Sequence, residues 1–201
     1  MKFVKLALAV TLLQLLASCD SSQRALDETT LEAERGDVTA QKFLGRAYLD
    51  GNKGIGKGLG VEQDYAQAVK WFRKAAEQGE PYALRMLGLA YSYGEGVSRD
   101  YAQAAIWLRK AAEQGDPYGQ SWLGNAYAEG SGGIIYKGFN EPQDLVLAYA
   151  WLNVGSKGYS EDTAKSRDRV ESLLTPAQLA EAQRLSSRWK PGQGIEREPS
   201  R

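Results

Sequence analysis

Residues Gly51-Asn52-Lys53-Gly54-Ile55-Gly56-Lys57 match the first seven positions of a phosphate-binding loop, G-x-x-x-x-G-K. In such a loop backbone amides cradle phosphate oxygens and the lysine reaches the outer phosphates. The eighth position must be Ser or Thr, and here it is Gly58. Other routes to chemistry are few. The 201-residue chain has no histidine, which removes Ser-His-Asp and Cys-His catalysis, imidazole metal ligation and the usual pH switch. Its one cysteine, Cys19, permits neither an intrachain disulfide nor a thiolate metal cluster. Carboxylates, Ser, Tyr and Lys remain, and the carboxylates are scattered over the chain with no pair placed around one site. No catalytic residue, cofactor or metal ligand is expected.

Ser187-Arg188-Trp189-Lys190 fits S-x-x-K, a motif of penicillin-recognising serine enzymes, but the accompanying Ser-Asp-Asn and Lys-Thr-Gly are absent. The motif also falls near the end of the chain, so chance explains it. Hydrophobic residues make up 43% and charged residues 25%, a globular composition. The 25 basic and 25 acidic side chains cancel, and nothing in that balance points to nucleic acid.

The amino terminus begins MKFVK and continues as an apolar run from Leu6 to Leu16. That run is shorter than the roughly 20 residues a membrane-crossing helix needs, and its basic start and length are those of a secretory signal. It ends Leu16-Ala17-Ser18-Cys19, which resembles the bacterial lipoprotein signal box. The resemblance implies removal of residues 1–18 and a lipid on the Cys19 thiol, a bacterial periplasmic location, and anchorage to a membrane. A thiolate is the side chain best suited to alkylation. Asp20 resembles the inner-membrane retention signal of enterobacterial lipoproteins. Residues 19–30 are expected to be a tether.

Residues 64–79 and 100–115 repeat each other at an offset of 36: DYAQAVKWFRKAAEQG against DYAQAAIWLRKAAEQG. A third copy starts at Asp144 and keeps Ala148, Trp151 and Leu152. Self-similarity at this period means stacked supersecondary units. Ala68, Trp71, Phe72, Ala75 and Ala76 recur at i, i+3, i+4, i+7 and i+8, an apolar helical stripe. Asp64 with Gln67 and Asp100 with Gln103 read as N-cap and N3 pairs, and Gly79 and Gly115 as left-handed C-caps. A second helix precedes each copy, marked by Leu44-Gly45-x-x-Tyr48, Leu87-Gly88-x-x-Tyr91 and Leu123-Gly124-x-x-Tyr127. A glycine inside a helix costs about 1 kcal/mol relative to Ala. Its recurrence predicts close packing of the partner helix.

This helix pair resembles the Sel-one-like repeat, a relative of the tetratricopeptide repeat. The likeness rests on Leu-Gly-x-x-Tyr, the Gly94-Glu95-Gly96-Val97 turn, the Asp cap and Trp-x-x-Lys-Ala-Ala-Glu-Gln-Gly. It covers about residues 31–158 and implies an all-α, right-handed α-α solenoid of about three helix pairs with capping helices at both ends. Leu31 to Asp37 reads as the tail of an amino-terminal capping helix. Thr175 to Gln178 reads as a capping box that opens a last helix, with Leu179, Ala182, Leu185 and Trp189 on one face. Residues 159–190 are thus assigned to carboxy-terminal capping, and 191–201 to a flexible tail.

The repeat also explains the glycine cluster. The turn from Gly94 to Asp100 takes six steps, that from Gly51 to Asp64 takes thirteen, and that from Gly130 to Asp144 takes fourteen. The cluster is an insertion in a helix-helix turn, without the preceding strand a phosphate loop requires. No nucleotide is expected there. Tyr136 and Phe139 lie in the insertion of the third repeat, where either a partner covers them or they fold back on their own repeats.

Relatives of this kind bind peptides along the first helix of each pair. Carried over, the off-core positions give a partner-binding surface of Lys42, Arg46, Arg85, Leu89 and Asn125, with Tyr136 and Phe139 added from the insertion. A merely solvated face is the alternative. Cysteine-rich relatives have been associated with β-lactams, but depend on disulfides that this chain cannot form. The resemblance implies a non-enzymatic periplasmic lipoprotein that acts as a protein-interaction scaffold or adaptor, its partner an envelope protein or a toxin. A sharper alternative is an immunity protein that neutralises a secreted antibacterial phospholipase-type toxin.

Overall fold

The computed structural model describes residues 21–131, 136, 138–157 and 160–197. Residues 1–18, expected to be a signal peptide, and Cys19 and Asp20 lie outside these residues. Among them the chain is helical, with no strand. Residues 21–34 form α1. Three pairs follow: α2 (Val38–Asp50) with α3 (Tyr65–Glu77), α4 (Pro81–Tyr93) with α5 (Tyr101–Glu113), and α6 (Pro117–Glu129) with α7 (Leu145–Gly155). Then come α8 (Glu161–Glu171) and α9 (Pro176–Arg188). The chain divides into two compact units whose boundary falls at Ala75, within α3. No helix among the described residues is long and apolar enough to cross a membrane.

Capping fixes where the helices start. Asp100 accepts hydrogen bonds from the amides of Ala102 and Gln103, at 2.9 and 3.1 Å. Asp144 does the same for Val146 and Leu147, at 2.9 and 3.0 Å, and Asp64 accepts from Gln67 at 3.0 Å. Each caps two or one of the amides that a helix leaves unpaired. The first helices carry an acidic cap as well. Asp37, Glu80 and Asp116 each accept from the third residue on, at 2.6, 2.6 and 2.8 Å. Pro81 and Pro117 follow two of these caps, at a position where a missing N–H costs nothing. The Thr175–Gln178 box forms in both directions.

In the first unit, Leu44, Ala47 and Trp71 pack with Ala33 and Ala40. Residues 21–30 differ from the expected tether. They are helical, and Ala25 and Leu26 pack on that core. The Gln23 amide donates to Asp27 at 2.9 Å, an i,i+4 pair that supports the helix. The glycine cluster forms two short 3₁₀ turns, Gly51–Lys53 and Ile55–Leu59. Gly51 and Gly60 take the left-handed φ values 56° and 66°. Leu59 and Val61 are buried, so the insertion closes down on α2 and presents no open anion cradle.

In the second unit, α7 packs against α6, α8 and α9. Trp151 and Leu152 are fully buried in this core. Ala182 of α9 is buried there too, with Leu179, Leu185 and Trp189 packed against it. The rings of Trp151 and Trp189 meet edge to face at 6.2 Å. Residues 191–197, expected to be loose, are fastened. Ile195 is buried, the Gly192 amide donates to the Glu113 carbonyl at 2.8 Å, and Arg197 pairs with Asp144 and Glu181 at 3.1 Å each. One apolar side chain, Ile195, and one cation, Arg197, hold this otherwise polar segment.

The helix-interior glycines sit where the pairs touch. A Cβ on Gly45 would lie 2.5 Å from the Phe72 ring, one on Gly88 2.5 Å from Leu108, and one on Gly124 2.7 Å from Leu152.

Candidate functional site

One bond recurs at the base of all three helix-helix turns. The amides of Asp64, Asp100 and Asp144 donate to the carbonyls of Tyr48, Tyr91 and Tyr127, at 2.8, 2.9 and 3.0 Å. The turn length between those residues therefore varies without moving the helices. In the two long turns the residue before the aspartate is glutamine. Gln63 and Gln143 donate side-chain N–H groups to the carbonyls of Leu49 and Ala128, at 2.8 and 2.7 Å. In the short turn that place belongs to Arg99, whose guanidinium lies over the Tyr101 ring, 5.6 Å from its centre.

The described part of the third repeat's long turn, Tyr136 and residues 138–143, packs on the second unit. Phe139 is only 4% exposed, with its ring edge-on to Tyr127 at 5.0 Å and to Trp122 at 6.1 Å. That burial takes Phe139 out of the expected partner surface and into the unit's own core. A Cβ on Gly138 would strike the Tyr101 backbone, so the turn crosses directly over the start of α5. A network beneath it holds it down. Arg109 pairs with Glu141, and the Tyr127 hydroxyl donates to the same carboxylate at 3.0 Å. Burial works against the Arg109 charge, but Tyr127 and Glu141 outweigh it and raise its pKa. The Tyr127 phenol is pushed up chiefly by burial.

Tyr136 lies over Trp122, their rings edge to face at 5.7 Å. Below it is a cavity of about 420 Å³. Helix α4 contributes Leu89, Ser92 and Tyr93, and α6 contributes Tyr118, Ser121, Trp122 and Asn125. Tyr101, Ala104 and Leu108 of α5 complete the wall, with Arg99 from the short turn. Tyr136 also borders a second, more polar cavity of about 470 Å³ that reaches Ser160, the N-cap of α8, and Asp162 and Arg169 within that helix. Burial, assisted by Glu129, pushes the Tyr136 phenol up to about 12.

Three of the residues expected to bind a partner, Leu89, Asn125 and Tyr136, thus meet at one cavity. Arg85 is engaged elsewhere. It pairs with Asp116 at 3.0 Å and lies over the rings of Tyr82 and Tyr118, at 4.8 and 5.8 Å. Asp116 is a buried cap, and desolvation raises its pKa against the opposing pull of the Gly119 amide and Arg85. Lys42 and Arg46 stand on α2, in the first unit, half-buried and exposed respectively.

Tyr93, Arg99, Tyr101, Tyr118 and Trp122 line the cavity without being among the residues expected from the sequence. A signal was present for two of them. Trp122 occupies the position of Phe43 and Met86, directly before the Leu-Gly pair, and Tyr118 repeats Tyr82 after proline. Arg99 and Tyr93 needed the folded turn, because only there do the end of α4 and the start of α5 share a cavity.

The arrangement offers aromatic faces, hydrogen-bonding side chains and a cation. Among the described residues no group of three or more acidic, His or Cys side chains forms a metal cradle. Such a surface can bind a partner's apolar and polar groups.

Comparison with known proteins places the chain in company. The family model for the Sel1 repeat matches residues 38–80, 81–116 and 117–156. Solved structures are similar over most of this chain. One is the crystal structure of c5321, a protective antigen present in uropathogenic Escherichia coli strains displaying an SLR fold. It shares 39% identity and a TM-score of 0.61, over 83% of this chain and 32% of that one. Another is a Sel1 repeat protein from Oxalobacter formigenes, at 34% identity and a TM-score of 0.59, covering 73% of this chain and 98% of that one. The ERAD-associated E3 ubiquitin-protein ligase component HRD3A of Arabidopsis thaliana is 34% identical over 63 residues, which is 31% of this chain and 8% of that protein. This chain therefore spans about a third of the length of the first solved relative and a small part of the plant one.

Proposed function

This chain belongs to the Sel1 repeat family, a scaffold for protein interaction, and from that premise we propose that it is a non-enzymatic binding protein which holds another protein on its repeat surface. The observation that carries the reading is the aromatic-walled cavity bordered by Leu89, Asn125 and Tyr136. Exposed apolar groups at a concave site mark a place where a partner is covered. The plant relative is by its name a component of a larger ligase, which suits a role inside an assembly.

The place of action follows from the amino terminus. The apolar run and Cys19 support export and acylation, with the protein tethered at the periplasmic face of a membrane and Asp20 favouring the inner one. Two or more acyl chains, at about 0.8 kcal/mol per buried CH₂, anchor firmly. Cys19→Ser is expected to abolish incorporation of labelled palmitate and move the protein to the soluble fraction. Retention of label in the variant would contradict acylation at that residue.

The direct test of binding is affinity capture of the full chain from detergent-solubilised membranes, with identification of what co-elutes. The reading predicts a protein retained at a fixed ratio. It fails if capture yields none while the purified chain turns over a substrate and a single carboxylate variant abolishes that turnover.

Toxin neutralisation is the second reading, and its support is the pair of enlarged turns. Both turns are folded on their own units, with Leu59, Val61 and Phe139 buried, which leaves less to insert into an enzyme cleft. For that reason the scaffold reading stands first. Death of deletion cells beside a toxin-bearing sibling would reverse the order.

A further inference from the structure

The geometry points to a defined occupant for the cavity of α4, α5 and α6: an extended protein segment carrying one carboxylate beside a large apolar or aromatic side chain. This rests on the binding-protein reading and adds the partner's chemistry to it.

Charge decides the first half. Among the described residues, Arg99 is the one charged side chain that lines the cavity. It is exposed, lies over the Tyr101 ring, and forms no ion pair among the described residues. The carboxylate next to it in sequence, Asp100, caps α5 through Oδ1, which accepts from the amides of Ala102 and Gln103, and makes no ion pair with Arg99. An incoming carboxylate therefore meets a guanidinium that offers a paired set of donors, whereas an incoming cation meets a like charge. Three further cavities of this unit lack such a bias: in the one beside α9, Arg197 is already paired with Asp144. The polar one carries Glu129 and Asp162 as well as Arg169, and in the one beneath the third turn Arg109 is already paired with Glu141.

Apolar surface decides the second half. Tyr93 is 68% exposed, the most exposed large hydrophobic side chain among the described residues, and it stands on the same wall as Leu89. Tyr118, Trp122 and Tyr136 present further rings. Aromatic groups of this kind gain most when a partner's apolar side chain covers them.

Main-chain recognition is provided for. Asn125 donates its side-chain N–H to the Ser121 carbonyl at 2.9 Å, which leaves its amide oxygen to accept. Ser92 donates to the Gly88 carbonyl at 2.9 Å and keeps its oxygen to accept likewise. Both suit the N–H groups of a segment in extended form. A volume of about 420 Å³ holds a short segment, not a folded domain.

The test uses the purified full chain in detergent and an array of capped heptapeptides. Each peptide carries a central Glu or Gln, flanked by Phe, Leu, Ala or Ser. The expected result is retention on Glu peptides with Phe or Leu neighbours, about tenfold or more above their Gln counterparts, the effect of one charge-assisted hydrogen bond. Arg99→Gln should abolish the preference for Glu, and Tyr93→Ala should weaken retention on Phe and Leu peptides. Both residues are exposed, so thermal unfolding should stay as in the wild type. Equal retention on Glu and Gln peptides, or an undiminished preference in the Arg99→Gln variant, overturns the proposal. A membrane partner captured equally by the wild type and by Arg99→Glu also overturns it, while leaving the binding-protein reading in place.

Discussion

Gly88 and Gly124 hold one position in successive helices, yet their substitution should not cost the same. Alanine gains about 1 kcal/mol of helix propensity over glycine at either place. At Gly88 the nearest atoms to a new Cβ are Cγ and Cδ2 of the buried Leu108, at 2.5 and 2.8 Å, with the Ala104 carbonyl at 3.3 Å, so a side chain must shift but the backbone hardly need move. At Gly124 the new Cβ also meets the Leu152 amide nitrogen at 2.9 Å and the Ala148 carbonyl at 3.0 Å. Backbone cannot yield unless α6 and α7 separate. Gly124→Ala is therefore expected to destabilise the protein by about 1–3 kcal/mol, as overpacked cores do, and Gly88→Ala by less. Urea unfolding of the two variants checks the order. Tyr136 gives a second test at this scale. A phenol raised from its usual 10.0 to about 12 stays protonated when folded and ionises sooner when unfolded. Stability should thus fall as pH rises from about 10 toward about 12. Absorbance titration should show late-ionising phenols, Tyr127 among them, and Tyr136→Phe should remove one. A Tyr136 that titrates near 10.0 would mean that the turn is not docked on Trp122.

At the scale of the element, the repeated bond from aspartate amide to tyrosine carbonyl separates helix packing from turn length. That is why the 36-residue pattern survived two insertions and why the helix pairs were legible from the sequence. Asp64, Asp100 and Asp144, the paired glycines and the apolar stripe each state a local requirement that the fold must meet. The insertions were less legible, because their apolar residues follow no helical period. Leu59, Val61 and Phe139 sit in irregular chain, and only their burial shows that they serve the core. Leu59→Ala should accordingly cost the first unit about 2–5 kcal/mol, whereas a turn held out in solvent would lose almost nothing. Thermal melting distinguishes the two. The same reasoning explains the tail: a segment rich in Gly, Pro and charge reads as loose, yet Ile195 and Arg197 dock it through residues far away in sequence. The site was half legible. Leu89 and Asn125 followed from helix spacing, while Arg99 and Tyr93 came from turn geometry that no period encodes. Arg85 fitted the helical spacing of the expected surface, but its pairing with Asp116 lies 31 residues along the chain.

At the scale of the whole molecule, balanced charge leaves little scope for long-range steering. What the protein offers is surface, made by helix pairs that hold aromatic groups in a fixed arrangement. Photocrosslinking in cells tests that most directly, with a benzoylphenylalanine placed at Tyr93 and, in a control, at Leu173. The two are similarly exposed, at 68% and 62%, but only Tyr93 borders the cavity. The account predicts a discrete protein adduct from position 93 and none from 173. Adducts from neither position, or from 173 alone, would contradict it.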